Sequence, residues 1–132
     1  MKEDYVSFEI AKKLKEKGFR YNTSYWYNQY GTLLDKDENE RKSKNSVLTN
    51  DKSYGVDAPT IAQVLKWLRE MNINIITTLW VNGWYVDVQS YTEETDDDCI
   101  SFVVEEQYQS DDFESYEQAT IVGIKYALDN LI

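Results

Sequence analysis

The chain has 132 residues, 42% of them hydrophobic and 29% charged, a size and composition typical of one globular domain. It contains no histidine and one cysteine, which excludes histidine-based catalytic triads, an intrachain disulfide and the usual zinc sites. Residues 1–69 hold thirteen basic and ten acidic side chains, whereas residues 70–132 hold one and fourteen. The strongly acidic second half argues against direct nucleic-acid binding, because phosphate contacts need Lys and Arg.

No apolar segment approaches the ~20 residues that cross a bilayer, and the charged N-terminal residues are unlike a signal peptide. We therefore expect a cytoplasmic protein with no membrane contact. The first predicted element is a helix over Ser7–Lys17, with Ser7 as its N-cap and Gly18 as its C-terminal cap.

The aromatic-rich segment 21–30 is predicted to be extended. Strand alternation would place Tyr25 and Tyr27 on one face and Trp26 and Tyr30 on the other. One of these faces belongs to the core. The other face either lies under the first helix or is a binding surface for a protein, a base or a sugar.

The segment 35–53 is polar apart from Val47 and Leu48. Polar segments of this length between structural elements are typically disordered or functional. We predict a mobile loop.

A second helix is predicted to begin near Asp57–Thr60, with Pro59 at its first position and a capping box from Thr60 to Gln63. Beyond that helix, Asn82-Gly83 predicts a hairpin whose two-residue turn would oppose Val81 to Trp84 and Leu79 to Val86 on the core face.

On the other face of this hairpin, Trp80 is predicted to lie opposite Tyr85, with Tyr91 beyond it. If no helix covers this face, the two rings form an exposed patch of the kind that marks an interface. An acidic loop over Glu93–Asp98 should then lead into a third strand, which places its apolar residues on one side: Ile100, Phe102 and Val104.

The last predicted helix begins at Ser115 and carries a stripe of small residues, Ala119, Gly123 and Ala127, that predicts close approach to the sheet. The predicted fold is α+β. An N-terminal helix and aromatic-rich strands precede a helix, a three-stranded antiparallel meander and a helix, packed as a two-layer sandwich. We expect residues 1–132 to form a single domain.

Five segments carry a resemblance to a known family: 6–19 (VSFEIAKKLKEKGF), Ala58–Thr60, Trp67–Glu70, Gly83–Tyr85 and the helix start at Tyr116–Ala119. Together they resemble a family of small uncharacterised bacterial proteins that recur in phages and other mobile elements. The resemblance covers most of the chain except the 35–53 loop. It implies a mobile-element setting, in which small non-enzymatic proteins bind host or defence proteins, and it transfers no catalytic residue.

Two clusters of carboxylate side chains are candidates for a catalytic or metal site. The acidic run 93–98 lacks the spacing and the glycine of an EF-hand loop. Asp87, Glu105 and Asp111 could serve a metal-dependent nuclease if Asp87 and Glu105 shared the non-core face. Because Lys125 is the only cation in this half, a polyanionic substrate would meet repulsion. No metal and no cofactor is predicted.

The sequence favours a non-enzymatic protein-binding module, in its sharpest form an acidic inhibitor of a nucleic-acid-handling host or defence protein with a basic surface. The acidic contact residues would be Asp96, Asp97, Asp98, Asp111 and Asp112. Two alternatives stay open. One is a carboxylate- and metal-dependent hydrolase or nuclease. The other is a small-ligand-binding or homo-oligomeric accessory protein that uses an aromatic face, for which the candidate residues are Tyr25, Trp26, Tyr27, Tyr30, Trp80 and Tyr85.

Overall fold

The computed structural model describes residues 4–36 and 55–132. Its helices and strands are, in chain order, α1 (Phe8–Glu16), β1 (Tyr25–Tyr27), β2 (Leu33–Asp35), β3 (Val56–Ala58), α2 (Ile61–Glu70), β4 (Ile73–Trp80), β5 (Gly83–Asp96), β6 (Cys99–Gln109) and α3 (Tyr116–Asn130). The mixture of helices with antiparallel sheets confirms the α+β class.

The chain divides into two compact units, 1–63 and 64–132, with the border inside α2. The single-domain expectation stays a prediction. The predicted mobile loop, 35–53, lies outside the described residues apart from Asp35 and Lys36. Within the described ranges, no helix is both long and apolar enough to cross a membrane.

In the first unit, α1 forms where its caps predict. The Ser7 hydroxyl accepts a hydrogen bond from the amide of Ile10, and Gly18 follows the helix with φ +90°. The helix buries one apolar stripe at helical spacing, Ile10, Ala11 and Leu14.

The first sheet has the strand order β2-β1-β3, all antiparallel, with Trp26 paired to Leu34 on one side and Asp57 on the other. The strand predicted over 21–30 is limited to Tyr25–Tyr27. It ends because the Asn28 side-chain oxygen accepts hydrogen bonds from the amides of Tyr30 and Thr32, a local turn that competes with a strand.

The capping box of α2 is confirmed. The amide of Thr60 donates to the Gln63 side chain, and the amide of Gln63 donates to the Thr60 hydroxyl. The predicted first helical position, Pro59, was wrong by two residues: Asp57 and Ala58 are paired in β3, Pro59 precedes the cap, and the helix begins at Ile61.

In the second unit, β4, β5 and β6 form an antiparallel meander in that order. The predicted hairpin register was wrong by two residues: Trp80 pairs with Gly83 and Thr77 with Val86, so Val81 and Asn82 form the turn. A shift of two residues leaves every side chain on its predicted face, because side chains alternate with a period of two.

Gly83 explains the shifted register, because it lies outside the turn, at a point where another part of the backbone comes close to it. A Cβ on Gly83 would lie 2.6 Å from the carbonyl oxygen of Phe113. The adjacent Trp84 exchanges two backbone hydrogen bonds with Phe113, of 2.9 and 2.7 Å. The segment that leads into α3 is thereby held against the start of β5.

α3 packs on the face of β4 and β5 that carries Val86 and Ile75, and the predicted close approach is confirmed. A Cβ on Gly123 would lie 2.8 Å from a Val86 methyl carbon and 3.0 Å from one of Ile75. The hydroxyls of Thr77 and Thr120 form a 2.6 Å hydrogen bond across the same contact. The small stripe is therefore packing surface.

This close contact predicts that Gly123→Ala destabilises the protein, although alanine favours a helix by about 1 kcal/mol over glycine. The added methyl group overpacks the contact with Val86, which we expect to cost about 1–3 kcal/mol before that gain is subtracted. Urea unfolding measures the net free energy. In a double-mutant cycle, Val86→Ala should make room and turn the effect of Gly123→Ala neutral or favourable. Additive effects would contradict the packing explanation.

Candidate functional site

β5 and β6 continue past the end of β4 as a two-stranded hairpin, residues 91–104, which we call the arm. β4 pairs with β5 only over Gly83–Ser90, whereas β6 pairs with β5 as far as Asp96. The predicted acidic loop over Glu93–Asp98 was therefore wrong. Residues 93–96 belong to β5, and only Asp97 and Asp98 form the turn.

A bulge in β6 decides which face of the arm is apolar. Val88 pairs with Tyr108 but Gln89 pairs with Glu106, so β6 carries one extra residue, Gln107, at this point. Beyond the bulge, Val104 pairs with Tyr91. Side chains alternate along β5, so Tyr91 lies on the face opposite to Val86, which packs against α3. Because Val104 pairs with Tyr91, the strip of Ile100, Phe102 and Val104 lies on the side away from α3.

The strip is open to solvent. Ile100, Phe102 and Val104 are 63%, 57% and 54% exposed, and Val103 on the other face of the arm is 51% exposed. The Phe102 ring meets Tyr91 edge-on at 5.8 Å between centroids. Single exposed apolar residues are ordinary, but a run of them along one strand is typical of a contact surface.

The same arm is acidic. Residues 91–104 hold five acids, Glu93, Glu94, Asp96, Asp97 and Asp98, and no Lys or Arg. All five are exposed. The predicted contact residues 96–98 therefore lie at the tip of the arm, beside its apolar strip.

Asp111 and Asp112 lie at the other end of the sheet, in the segment between β6 and α3. The neighbouring Phe113 pairs with Trp84 near the start of β5, and the tip of the arm follows Asp96 at its end. At about 3.3 Å per residue, the twelve steps from Trp84 to Asp96 separate the two acidic groups by about 40 Å. The structure does not bring the five predicted acidic contact residues together.

Trp80 and Tyr85 lie on the predicted face but are not directly opposite one another. Tyr85 pairs with Thr78, so Trp80 and Tyr85 are diagonal neighbours, with their rings edge-to-face at 6.2 Å. The indole N–H of Trp80 also donates a 2.6 Å hydrogen bond to the Asp112 carboxylate. Trp80 is 47% exposed, and a partner at this end of the sheet would meet both its ring and the carboxylate.

In the first unit, Tyr25, Trp26 and Tyr27 form β1, whereas Tyr30 lies in the following turn with 82% of its surface exposed. Trp26 is buried. The Tyr27 hydroxyl donates to the carbonyl of Val6 at 2.6 Å, and burial raises the pKa of this phenol. Tyr25 and Tyr27 each meet another ring, those of Tyr5 and Phe8, so this face is largely packed and is separate from Tyr30.

The first unit also contains a pocket of about 690 Å³, a volume common for small-molecule sites. Leu14, Phe19, Trp26 and Val56 contribute its apolar lining. A Cβ on Gly55 would lie 2.5 Å from the Trp26 ring, so this part of the wall depends on glycine.

Cations dominate the polar lining of this pocket, with Lys15, Arg20 and Lys36 against Asp57. Lys36 forms a 2.9 Å ion pair with Asp57, and the Lys15 ammonium donates to the carbonyl of Gly55. The lining therefore keeps an excess of positive charge, which suits an anionic ligand.

The carboxylates weighed as a nuclease site do not share a face. Asp87 pairs with Ile76 on the face away from α3, whereas the bulge places Glu105 opposite Ser90 on the other face. Strand alternation alone would allow a shared face, but the bulge at Gln107 interrupts the ladder and turns Glu105 to the other side. Within residues 4–36 and 55–132, no three Cys, Asp or Glu side chains cluster closely enough to hold a metal ion. Cys99 is exposed at the start of β6.

Comparison of the chain with protein-family models, with curated proteins and with solved structures finds no match. The resemblance to a mobile-element family therefore stays a prediction.

The sequence does not predict the arm, because a run of acids and threonines such as 92–98 is typical of a loop. Residues 92–98 contain no apolar side chain, so this segment lacks the period-two alternation of apolar and polar residues that indicates a strand. The bulge that sets the facing of the arm has no signal in the sequence, because Gln107 has neither glycine's backbone freedom nor a turn preference.

We predict that Trp80→Ala destabilises the protein by only about 1–2 kcal/mol, because nearly half of the side chain is exposed and one hydrogen bond is lost. Trp67, which is buried, is the matched control, and Trp67→Ala should cost about 3–5 kcal/mol. Chemical denaturation monitored by circular dichroism measures both. Equal losses would mean that Trp80 is a core residue.

Proposed function

We propose that this protein is a non-enzymatic protein-binding module whose arm contacts a partner protein. The observation that supports the proposal is the exposed strip of Ile100, Phe102 and Val104 on a hairpin that projects past the rest of its sheet. Contiguous apolar surface of this kind is typical of interaction sites. The aromatic ring of Phe102 provides the largest anchor, and buried aromatic anchors contribute disproportionately to binding energy.

The finer form of the proposal concerns the setting and the partner. We propose a cytoplasmic protein, for which the family resemblance suggests a mobile-element setting. The acidic arm suits a target with a basic surface, such as a nucleic-acid-handling host or defence protein. Because about 40 Å separates Asp97 from Asp111, one compact contact cannot use both acidic groups. We therefore assign the contact to the arm, with Asp111 and Asp112 outside it.

Phe102→Ser should weaken partner binding strongly, because it removes the central anchor of the strip. The effect on folding should be small, because the Phe102 side chain is 57% exposed in the free protein. The measurement compares tagged wild-type protein and the variant for proteins retained from a bacterial lysate. Each retained protein is then purified and titrated by calorimetry, with an expected affinity loss of about tenfold or more.

Val81→Ser is the matched control, because Val81 is an apolar residue that is 93% exposed at the opposite end of the sheet. The control should bind as the wild type does. Equal binding by the wild type and Phe102→Ser, with folding preserved in both, would remove the arm from the interaction.

A second candidate function is small-ligand binding in the pocket of the first unit. The specific observation is the excess of positive charge from Lys15, Arg20 and Lys36 around an apolar lining. This combination suits a small molecule with one ring and one anionic group, because apolar surface supplies burial and a fixed cation supplies orientation.

Phenyl phosphate tests this candidate as a probe that combines a ring with an anion. We expect it to shift the NMR resonance of the Trp26 indole N–H with saturation, and Arg20→Ala to weaken that binding several-fold. Lys66→Ala removes one positive charge from a residue outside the pocket lining and should leave binding unchanged. Unchanged Trp26 resonances at millimolar probe would remove this candidate.

A further inference from the structure

We infer that the partner presents an extended, cationic segment that adds to the arm as a further β-strand along the outer edge of β6. This inference rests on the proposed function of the arm and specifies the chemistry of its ligand. The segment would alternate apolar and basic side chains, with the apolar ones on the face of Phe102.

The backbone of β5 shows which groups of β6 face outward. The amides of Trp84 and Val86 donate toward the β6 side of the sheet, to Phe113 and Ser110, whereas the amide of Tyr91 donates to Asn72 on the β4 side. Backbone groups alternate between the two edges of an antiparallel strand. Even-numbered residues of β5 therefore bond to β6 within the arm.

The same alternation determines where the backbone groups of the apolar strip point. Val103 and Ser101 pair with Thr92 and Glu94, the even-numbered residues, so their backbone groups face β5. The alternate residues, Ile100, Phe102 and Val104, then direct both N–H and C=O away from the sheet. The same three residues thus combine exposed apolar side chains with three pairs of backbone groups that no strand among residues 4–36 and 55–132 pairs with.

Of the strands that the structure describes, none pairs with this outer edge. Exposed edges are commonly protected by lysine, by proline or by shortness. β6 is eleven residues long and contains no lysine and no proline, and its bulge, which is a further edge-protecting device, lies at Gln107, outside the arm. It retains the properties that permit strand addition, in which main-chain hydrogen bonds give affinity and alternate side chains give specificity.

The negative charge of the arm indicates which kind of strand would bind along β6. The arm carries five acids without a cation, and Glu105 and Glu106 follow it directly. Two copies joined edge to edge would bring these like charges together, which is unfavourable, so a second copy fits poorly. A strand with Lys or Arg on the face of Val103 would meet Glu105 and Glu94 instead. Electrostatic complementarity therefore favours a basic strand over self-association.

The probe is a capped octapeptide of alternating valine and lysine, and the same peptide with glutamate in place of lysine is the charge control. We expect the lysine peptide to bind the full chain, with an affinity that falls as sodium chloride rises, and the glutamate peptide not to bind. Amide hydrogen exchange followed by NMR locates the contact. Protection should rise about tenfold or more at Ile100, Phe102 and Val104.

Ser101 and Val103 are internal controls in the same experiment, because their amides are already bonded to β5 and should change little. Glu94→Gln with Glu105→Gln should weaken peptide binding about tenfold. Asp111→Asn with Glu114→Gln, at the far end of the sheet, should not.

Failure of this inference is distinguishable from failure of the proposed function. If Phe102→Ser abolishes capture of a partner but bound partner or peptide leaves the amide of Phe102 unprotected, strand addition is wrong and the arm still binds protein. Concentration-dependent dimers, detected by sedimentation and lost in Phe102→Ser, would make a second copy the occupant and overturn the inference. Equal binding of the two peptides would overturn the charge argument.

Discussion

The contact between Gly123 of α3 and the Val86 side chain fixes how much of the sheet a helix can cover. α3 has fifteen residues and rises about 22 Å, whereas the fourteen residues of β5 extend about 46 Å. Because α3 is held at the half of β5 that pairs with β4, no part of it can follow the sheet to its far end. The exposure of the arm is therefore a consequence of element lengths and of where the small residues of α3 sit.

The acidic second half of the chain has two effects that oppose each other. Carboxylates such as Glu93 and Asp96 raise the solubility of an edge strand that would otherwise pair with copies of itself. The same charges lower the barrier to association with a cationic partner. A two-stranded hairpin in water is marginally stable alone, so the arm beyond Tyr91 depends on the sheet behind it and is the part that a bound strand would stabilise most.

The parts of the fold that sequence predicts are those set by local chemistry. Ser7, the Thr60–Gln63 pair and Ser115 cap their helices as expected, because capping needs only residues three positions apart. The hairpin register is not predictable locally, because Gly83 is typical of a turn but here allows the Phe113 backbone to approach. That contact lies thirty residues away along the chain. The strand over Glu93–Asp96 is not predictable from its own residues for a similar reason: a run of acids is typical of a loop, but pairing with β6 outweighs that preference.

β5 and β6 pair in two registers that differ by one residue. One register follows from the turn at Asp97 and Asp98, the other from the pairing of Val88 with Tyr108, and Gln107 is the unpaired residue between them. A chain with one more residue in that turn could pair without a bulge, and Val104 would then face Thr92 and lie on the side of α3. The length of this turn thus determines which face of the arm carries the apolar strip. Insertions and deletions at 97–98, which loop tips tolerate readily, would redirect the surface without changing any residue in it.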